Sequence, residues 1–242
     1  MDHKTEAIVL NKIKYSDSTY IVNIFTRELG KVPVFIRTSK SKKGGIKPGL
    51  LFPLNIIETE VSQKDRRNVQ NLKHCDTVFS AFNICSDVYR SSIAQFLAEL
   101  VSKTLRENET DGDFYDYFKK IIFKLENSDI PPHNLHLLFM KDYARFLGFQ
   151  ITNNFAEESP FFSLREGMFL PVFTTDEESL DRELSNLFSD LLSLDLESII
   201  SFSASYKFRK EILKRLIFYY RLHLADFPEI KSVSVLNSVF SD

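Results

Sequence analysis

The residue types best suited to chemistry form a run of cations in the segment RTSKSKKGGIKPG, residues 37–49. Each cation can neutralise one phosphate of a nucleic acid and release the counterion condensed on it. Two adjacent glycines, Gly44 and Gly45, give the segment a flexible backbone. The pattern predicts a phosphate-binding loop, and the alternative is a solvated surface loop. Its cations are Arg37, Lys40, Lys42, Lys43 and Lys47.

A second basic cluster follows at Lys64, Arg66 and Arg67. Two cationic loops in one stretch of chain favour nucleic acid as the ligand. Aromatic rings beside such cations can stack on bases, although core packing is the more common role of each ring. The rings in this stretch are Tyr15, Tyr20, Phe35 and Phe52.

A third set of cations lies near the end of the chain, where apolar residues repeat at helical spacing. These cations fall on a different helix face from an apolar stripe that runs from Phe208 to His223. A basic stripe can bind an anion, either DNA or an acidic peptide. It can also pair with carboxylates of its own region, and the sequence leaves both readings open. The cations are Lys207, Lys210, Lys214 and Arg221.

Signals for catalysis are poor. The sequence holds no Gly-rich phosphate loop, no G-x-S-x-G and no H-E-x-x-H. His133 and His136 can share a helix face, but no carboxylate or thiol is spaced to complete a metal site, so we expect a surface pair. His74 and Cys75 are neighbours in a predicted strand and should point to opposite faces. We predict no catalytic residue, no metal, no cofactor and no enzymatic activity.

The elements that must position these residues change character near residue 80. Before it, runs of β-branched and aromatic residues predict strands at 6–13, 19–26, 31–37, 50–61 and 68–75. Pro33 and Pro53 lie inside such runs and indicate edges or bulges. Five short strands before any helix fit a small closed barrel such as the OB-fold. An SH3-like barrel would give nearly the same pattern.

After residue 80 the apolar residues recur at three- and four-residue spacing, which predicts helices. These helices fall at 93–105, at 114–125, from after Pro131-Pro132 to Leu147, and near 178–194 and 205–225. The predicted fold class is α+β, with an N-terminal five-stranded OB-fold barrel followed by an all-α helical domain. The predicted domains are residues 1–80, which bind DNA, and residues 81–242, which are helical with a short irregular or hairpin insertion near 149–173.

The net charge also changes sign near residue 80. Residues 1–80 hold 14 Lys+Arg against 8 Asp+Glu, a net +6, whereas residues 81–242 hold 17 against 25, a net −8. A reversal of this size indicates two domains with different partners. The N-terminus lacks the layout of a signal peptide, and no apolar run approaches a membrane span, so we expect a cytoplasmic protein.

Several motifs resemble the RecO family of bacterial recombination mediators. TEAIVLNKIKYSDSTYIVNIFTRELGKV (5–32) resembles the family's opening, a strand ending in V-L, a Ser-Asp/Glu-Ser/Thr turn and a strand ending in F-T-x-E-x-G-[KR]. RTSKSKKGGIKPGLLFP (37–53) is similar to its K-G-x-R-S-x-[KR] loop and the re-entry into the barrel. YARFLGF (143–149) and HLADFPEIKSVSVL (223–236) resemble its L-G-[FY] helix end and its closing segment.

The resemblance implies a protein of the cytoplasm and nucleoid that binds single- and double-stranded DNA and anneals complementary strands. It also implies contact with the C-terminal tail of the single-strand-binding protein SSB and, together with RecR, loading of RecA onto SSB-coated DNA. The family's DNA-contacting loop falls on the cations of residues 37–47. For the SSB tail we expect the last helix, where Leu213 and Ile217 border the cations. If packing buries that edge, Lys119, Lys120 and Lys124 become the candidates.

Two departures from the family pattern stand out. Residues 149–173 hold no cysteine, whereas many members carry a four-cysteine zinc site there. We expect the rings of Phe155, Phe161, Phe162 and Phe169 to hold this region by apolar burial instead. Thr38 stands where the family loop has glycine. The alternative functions are a protein–protein adaptor whose barrel binds a peptide and, without any supporting spacing, a phosphodiesterase that uses barrel carboxylates.

Overall fold

The structure is a computed structural model that describes residues 2–38, 46–62, 68–175 and 177–240. Its contacts divide the chain into two compact units. The first unit comprises Met1–Ser128 with Ile230–Leu236, and the second comprises Asp129–Glu229 with Asn237–Asp242. The predicted domain boundary at residue 80 stays a prediction.

The first unit begins with a closed five-stranded barrel in the order β1-β2-β3-β5-β4. All neighbouring strands are antiparallel except β3 and β5, which run parallel and pair Val34 with Gln70 and Phe35 with Asn71. This order is that of the OB-fold, so the predicted fold class is confirmed and the SH3-like alternative is wrong. The strands are β1 (Asp2–Lys14), β2 (Thr19–Thr26), β3 (Gly30–Arg37), β4 (Ile56–Ser62) and β5 (Gln70–Phe79).

Alternation along the strands builds the barrel interior. In β3 the odd and even positions separate cleanly, because Val32, Val34 and Ile36 are buried while Phe35 is half-buried and Arg37 is exposed. Side chains of a strand alternate between its two faces, so one set fills the barrel and the other covers its outside. Valine, isoleucine and leucine dominate the interior cluster, which also receives partly buried Tyr20, Leu72 and Cys75.

The fourth strand is shorter than predicted. The sequence pattern indicated a strand over 50–61, but β4 begins at Ile56 after a 3-10 turn at Pro48–Leu51. Leu54 has a positive φ of 68°, which breaks the extended conformation. The buried side chain of Asn55 fixes this bend by donating to the carbonyl of Gly49 (2.9 Å) and accepting from the Ala81 amide (2.9 Å).

The first unit continues with helices that begin at side-chain caps. Asp87 accepts from the Arg90 amide (2.8 Å) and Asp111 from the Phe114 amide (2.8 Å), which satisfies amides at the start of each helix. The helix that begins after Asp111 contains the one predicted at 114–125. The helices are α1 (Phe82–Ser86), α2 (Val88–Thr104), α3 (Gly112–Glu126) and the beginning of α7 (Ser232–Val239).

The second unit consists of helices and one hairpin. Its last long helix buries Phe208, Ile212, Leu216 and Tyr219, as its apolar stripe predicted. The third predicted helix ends as expected, because Gly148 after it takes a positive φ of 87°. The elements are α4 (Leu135–Phe146), β6 (Phe161–Ser163), β7 (Met168–Leu170), α5 (Arg182–Leu192) and α6 (Tyr206–His223).

Aromatic side chains fill the space behind this hairpin. The ring of Phe162 is fully buried and lies 5.0 Å from that of Phe169 and 4.8 Å from that of Phe188, measured between centroids. Phe155 contacts Phe169 at 5.3 Å. The side chain of Asn154 donates to the Phe169 carbonyl (3.0 Å) and accepts from its amide (2.8 Å), which completes the free edge of β7. Buried aromatic rings therefore pack this segment, which contains no cysteine.

Candidate nucleic-acid interface

One end of the barrel carries an exposed strip on its outer surface. Register places Ile13 opposite Ile21, and Ile21 opposite Phe35, so these side chains share one face. Arg37 follows two residues after Phe35 and points the same way. Tyr15, in the turn after β1, packs its ring edge-on against Phe35 with centroids 5.4 Å apart. We call Ile13, Tyr15, Ile21, Phe35 and Arg37 the barrel strip.

The barrel strip begins where the helical cover of the first unit ends. One row nearer the middle of the barrel, Asn11 accepts from Asn23 (2.9 Å) and donates to Ser102 of α2 (2.7 Å). Farther along β2, the ring of Phe25 lies 5.4 Å from that of Phe114 on α3. These contacts cover the outer surface there. Beyond them, Ile13 is 59% exposed and Tyr15 is 66% exposed.

The other two candidate aromatic rings have different surroundings. Tyr20 points toward the barrel interior and packs partly buried against its core. Phe52 is half-buried at the end of the 3-10 turn. The sequence therefore placed the four rings near the same strands, but only Tyr15 and Phe35 belong to the barrel strip.

Two lysines that the sequence analysis did not single out lie on the opposite face of the two-stranded ribbon formed by β1 and β2. Lys12 and Lys14 face Val22 and Tyr20 across the β1–β2 pair, and both are exposed. The Lys12 ammonium lies 6.0 Å from the centre of the Tyr20 ring, and that of Lys14 lies 4.0 Å from the Asp17 carboxylate. The alternation K-I-K at the end of the first strand was the signal that could have revealed them.

Both ends of the first basic loop are held beside the barrel strip. The Ile46 amide donates to the Arg37 carbonyl (3.1 Å), and the Thr38 amide donates to the Ser18 carbonyl in the β1–β2 turn (2.7 Å). Arg37 and Lys47 are exposed, and no carboxylate of the described ranges is within ion-pair distance of either. The predicted site residues Lys40, Lys42 and Lys43 lie outside the described residues.

The strand ends that flank the second basic segment lie at the same end of the barrel. Its predicted site residues Lys64, Arg66 and Arg67 lie outside the described residues, between Ser62 and Asn68. Asn71, near the start of β5, pairs with Ser62 on one side and with Phe35 on the other. In OB-folds this β4–β5 loop, the β1–β2 loop and the β2–β3 face are the elements that bind oligonucleotides.

Helix α6 of the second unit borders a separate cleft of about 600 Å³. Three of the four predicted cations, Lys207, Lys210 and Lys214, line it together with Arg215. The fourth, Arg221, is exposed farther along α6 and is not part of the lining. Leu213 is only 2% exposed, so the apolar border predicted from the sequence is wrong at that residue. The apolar lining comes instead from Phe173, Leu184 and Tyr206.

Charge in this cleft is unevenly compensated. Glu211 lies 2.7 Å from Arg215 and 3.9 Å from Lys214, and Asp181 is engaged as the cap of α5. Within the part of the chain that the structure describes, no carboxylate is within ion-pair distance of Lys207 or Lys210. The Lys210 ammonium lies 5.8 Å from the centre of the Tyr206 ring. The cleft therefore offers cations beside apolar and aromatic walls.

The alternative lysines for binding the SSB tail lie on α3 and differ in exposure and in charge pairing. Lys119 forms a 2.7 Å ion pair with Glu6, so much of its charge is compensated inside the first unit. Lys120 is exposed and Lys124 is half-buried. These lysines lie on a helix of the first unit, not in the cleft of the second.

His133, just before α4, and His136, in its first turn, do not form the expected surface pair. His136 is buried. The centroid of the Phe240 ring lies 5.9 Å from that of His136 and 5.4 Å from that of His133. Burial, with Arg209 and His133 nearby, lowers the pKa of His136 to about 3. The surface prediction is wrong because the helix start turns inward, where Phe240 packs over both rings.

The remaining nucleophile and metal candidates give no site. His74 is exposed and bonded to Asp76 (2.8 Å), whereas Cys75 points into the barrel, so the two face apart as predicted. Burial raises the pKa of the Cys75 thiol to about 11. Among the described residues no group of three or more His, Cys, Asp or Glu side chains could hold a metal ion. In the same residues no helix has the length and apolarity needed to cross a membrane.

The order of the strands and the exposed, cation-flanked end define an OB-fold protein with an appended helical region. The comparisons with known proteins agree with that class. The chain belongs to the RecO family of DNA repair proteins: residues 1–81 match the model described as "Recombination protein O N terminal" and residues 85–232 match "Recombination protein O C terminal".

Curated relatives match along their whole length. A DNA repair protein RecO of Azobacteroides pseudotrichonymphae is 32% identical over 240 residues, covering 99% of this chain and 100% of the relative. One of Phocaeicola vulgatus is 33% identical over 241 residues, covering 100% of both chains. One of Flavobacterium psychrophilum is also 33% identical, over 244 residues and 100% of both chains.

Proposed function

We propose that this protein binds DNA at the end of the barrel that carries the barrel strip. The observation that supports this proposal is the convergence of cations there. Arg37 and Lys47 are exposed without a described carboxylate partner, and Lys12 and Lys14 lie on the other side of the ribbon. Both segments that hold the remaining candidates start from this end. Phosphates would be neutralised by these cations, which gives affinity without base recognition.

The finer function follows from membership in the family and from the resemblance described above. We propose that the protein binds single- and double-stranded DNA, anneals complementary strands and, with RecR, helps to load RecA onto SSB-coated DNA. It does so as a binding protein without catalysis, in the cytoplasm and at the nucleoid. Two separate anion-binding surfaces, one in each unit, suit a protein that must contact DNA and a DNA-bound protein.

For the partner surface we propose that the cleft beside α6 binds the acidic, apolar C-terminal tail of SSB. Such a tail needs an apolar recess for its terminal aromatic ring and cations for its carboxylates. Phe173, Leu184 and Tyr206 supply the recess, and the exposed Lys207 and Lys210 supply charge.

DNA binding distinguishes this function from that of a peptide-binding adaptor. We expect a labelled single-stranded oligonucleotide to show a rise in fluorescence anisotropy on titration with the intact protein, and the rise to weaken steeply as salt increases. An adaptor whose cations only solvate the surface would show no saturable change at low salt. Cleavage of the oligonucleotide in the presence of divalent metal ions would instead reveal a phosphodiesterase.

The cleft has its own test, with a matched control on the same helix. Reversing two charges, Lys210→Glu and Lys214→Glu, should abolish binding of an SSB tail peptide, because the peptide's carboxylates would then meet carboxylates. Arg221→Glu changes an exposed cation of α6 outside the cleft and should bind the peptide as the native protein does. Equal peptide affinity in all three proteins would refute the assignment, whereas loss of DNA by the double variant would identify α6 as a second DNA track.

A further inference from the structure

We propose that Tyr15 and Phe35 form a stacking platform for unpaired bases, which gives the barrel a contact that only single-stranded DNA can make. This inference rests on the proposed DNA binding and specifies which part of the ligand the barrel strip recognises. Cations around the strip attract any phosphate backbone. The aromatic pair adds a second chemistry that depends on the bases.

The position of the two rings is what makes them available. Both lie on the outer surface of the barrel, past the point where α2 and α3 cover it. Tyr15 is 66% exposed, and its edge-on contact with Phe35, with planes at 68°, leaves ring surface open to solvent. Ile13, two residues before Tyr15 in β1 and 59% exposed, widens the apolar area.

Exposure of this kind carries a free-energy cost that a ligand would relieve. Single apolar side chains on a surface are ordinary, but contiguous patches of them on a folded protein mark contact sites. The barrel strip joins the exposed side chains of Ile13 and Tyr15 to the half-buried ring of Phe35. Ile13 is linked to Phe35 by cross-strand register through Ile21, and Tyr15 by ring contact. A base is a flat, largely apolar ligand that fits against such rings, whatever its identity.

The charges beside the strip favour a nucleic acid over an apolar peptide or a second copy of this chain. Arg37 lies on the same face as Phe35, two residues farther along β3, where the first basic segment begins. The second basic segment leads into β5, which pairs with β3 at Phe35. A cation next to a ring can hold the phosphate of the nucleotide whose base stacks there. Two copies of the chain would bring these like charges together, which opposes self-association through this face.

Duplex DNA cannot use the platform, because its bases are already stacked on each other and only their edges face the grooves. It should bind through its phosphates alone. The platform therefore predicts a difference between the two DNA forms that the cations by themselves do not.

The test compares Tyr15→Ala with Tyr15→Phe, which keeps the ring, and with Phe123→Ala, which removes another exposed ring of the first unit (43% exposed). The probes are a labelled oligothymidylate and a duplex of equal length at one salt concentration. Tyr15→Ala should weaken oligothymidylate binding roughly tenfold and leave duplex binding within about twofold. Tyr15→Phe and Phe123→Ala should bind both probes as the native protein does.

Each other outcome overturns the inference. Equal weakening for both probes would mean that Tyr15 positions the cationic turn instead of stacking on bases. No weakening for either probe, with salt-dependent binding intact, would refute the platform and leave the proposed function standing. Absence of DNA binding by the native protein would refute the proposed function itself. A smaller sedimentation coefficient for Tyr15→Ala, with oligothymidylate binding unchanged, would make the strip a contact between copies.

Discussion

The barrel strip and the hairpin of the second unit both depend on aromatic side chains, but those side chains have opposite surroundings. Phe162 is fully buried, with the rings of Phe169 and Phe188 within 5.0 Å. Phe35 is half-buried on the barrel surface, and its partner Tyr15 is mostly exposed. The same residue type thus stabilises the fold in one unit and remains available to a ligand in the other.

What separates the two cases is the element packed over them. The hairpin face that carries Phe162 is closed by α5, whose Ser185 hydroxyl accepts from the Phe162 amide (2.9 Å). The barrel face that carries Phe35 is covered only up to the row of Asn11 and Asn23. Alternation along a strand determines which face a residue occupies, but the cover over that face depends on distant parts of the chain.

The largest effect that would sharpen this contrast is on stability. Phe162→Ala should lower the free energy of unfolding by about 3–5 kcal/mol, because it leaves a cavity among rings that cannot close around it. Phe35→Ala should cost less than about 1 kcal/mol, since its ring already contacts water. Urea unfolding measures both. Similar losses in the two variants would break the contrast between a packed and an available ring.

A smaller effect is a loss of folding stability at low pH, which should be confined to the second unit. His136 is buried with its pKa lowered to about 3, below the ordinary value near 6.5 of an unfolded chain. The unfolded state then takes up a proton that the folded state refuses, so stability is complete above about pH 6.5 and falls as pH drops toward about 3. Between pH 7 and pH 5 the loss is about 2 kcal/mol. His136→Gln should remove that loss, as urea unfolding at the two pH values would show. An equal loss in the variant would assign it to other groups.

The smallest expected effect is that of a chelator. If aromatic burial holds the hairpin, EDTA should leave the melting temperature of the native protein unchanged within about 1 °C, because no metal contributes to folding. Elemental analysis should find less than about 0.1 zinc per chain. One zinc per chain, or a melting temperature that falls with EDTA, would show that a metal holds this region despite the missing cysteines.

Most of the fold could be predicted from the sequence, because local patterns determine it. Strand alternation and turns gave the barrel, and the apolar stripe through Phe208 and Ile212 gave the last helix. The start of β4 was missed because the bend depends on Leu54 and on bonds from Asn55 to distant backbone, neither of which has a local signature. His136 was misplaced for a similar reason, since the ring that buries it, Phe240, is about a hundred positions away.

The candidate site was predictable in composition but not in geometry. Clusters of lysine and arginine are visible in the sequence, and so are the four aromatic rings near them. Which rings face outward depends on strand register, and Tyr20 turned inward while Tyr15 and Phe35 did not. The cleft cations Lys207, Lys210 and Lys214 were found, but their apolar neighbour Phe173 comes from another segment.

The central claim is that DNA is held by cations at the end of the barrel and not by those of the second unit. Its most direct test is the salt dependence of single-strand binding in two matched variants, each lacking three lysines. Replacing Lys40, Lys42 and Lys43 by Ala should flatten the slope of log K against log salt by about 2, at roughly 0.7 per phosphate contact. Replacing Lys207, Lys210 and Lys214 by Ala should leave the slope unchanged. A slope that stays the same in the first variant and flattens in the second would contradict the account.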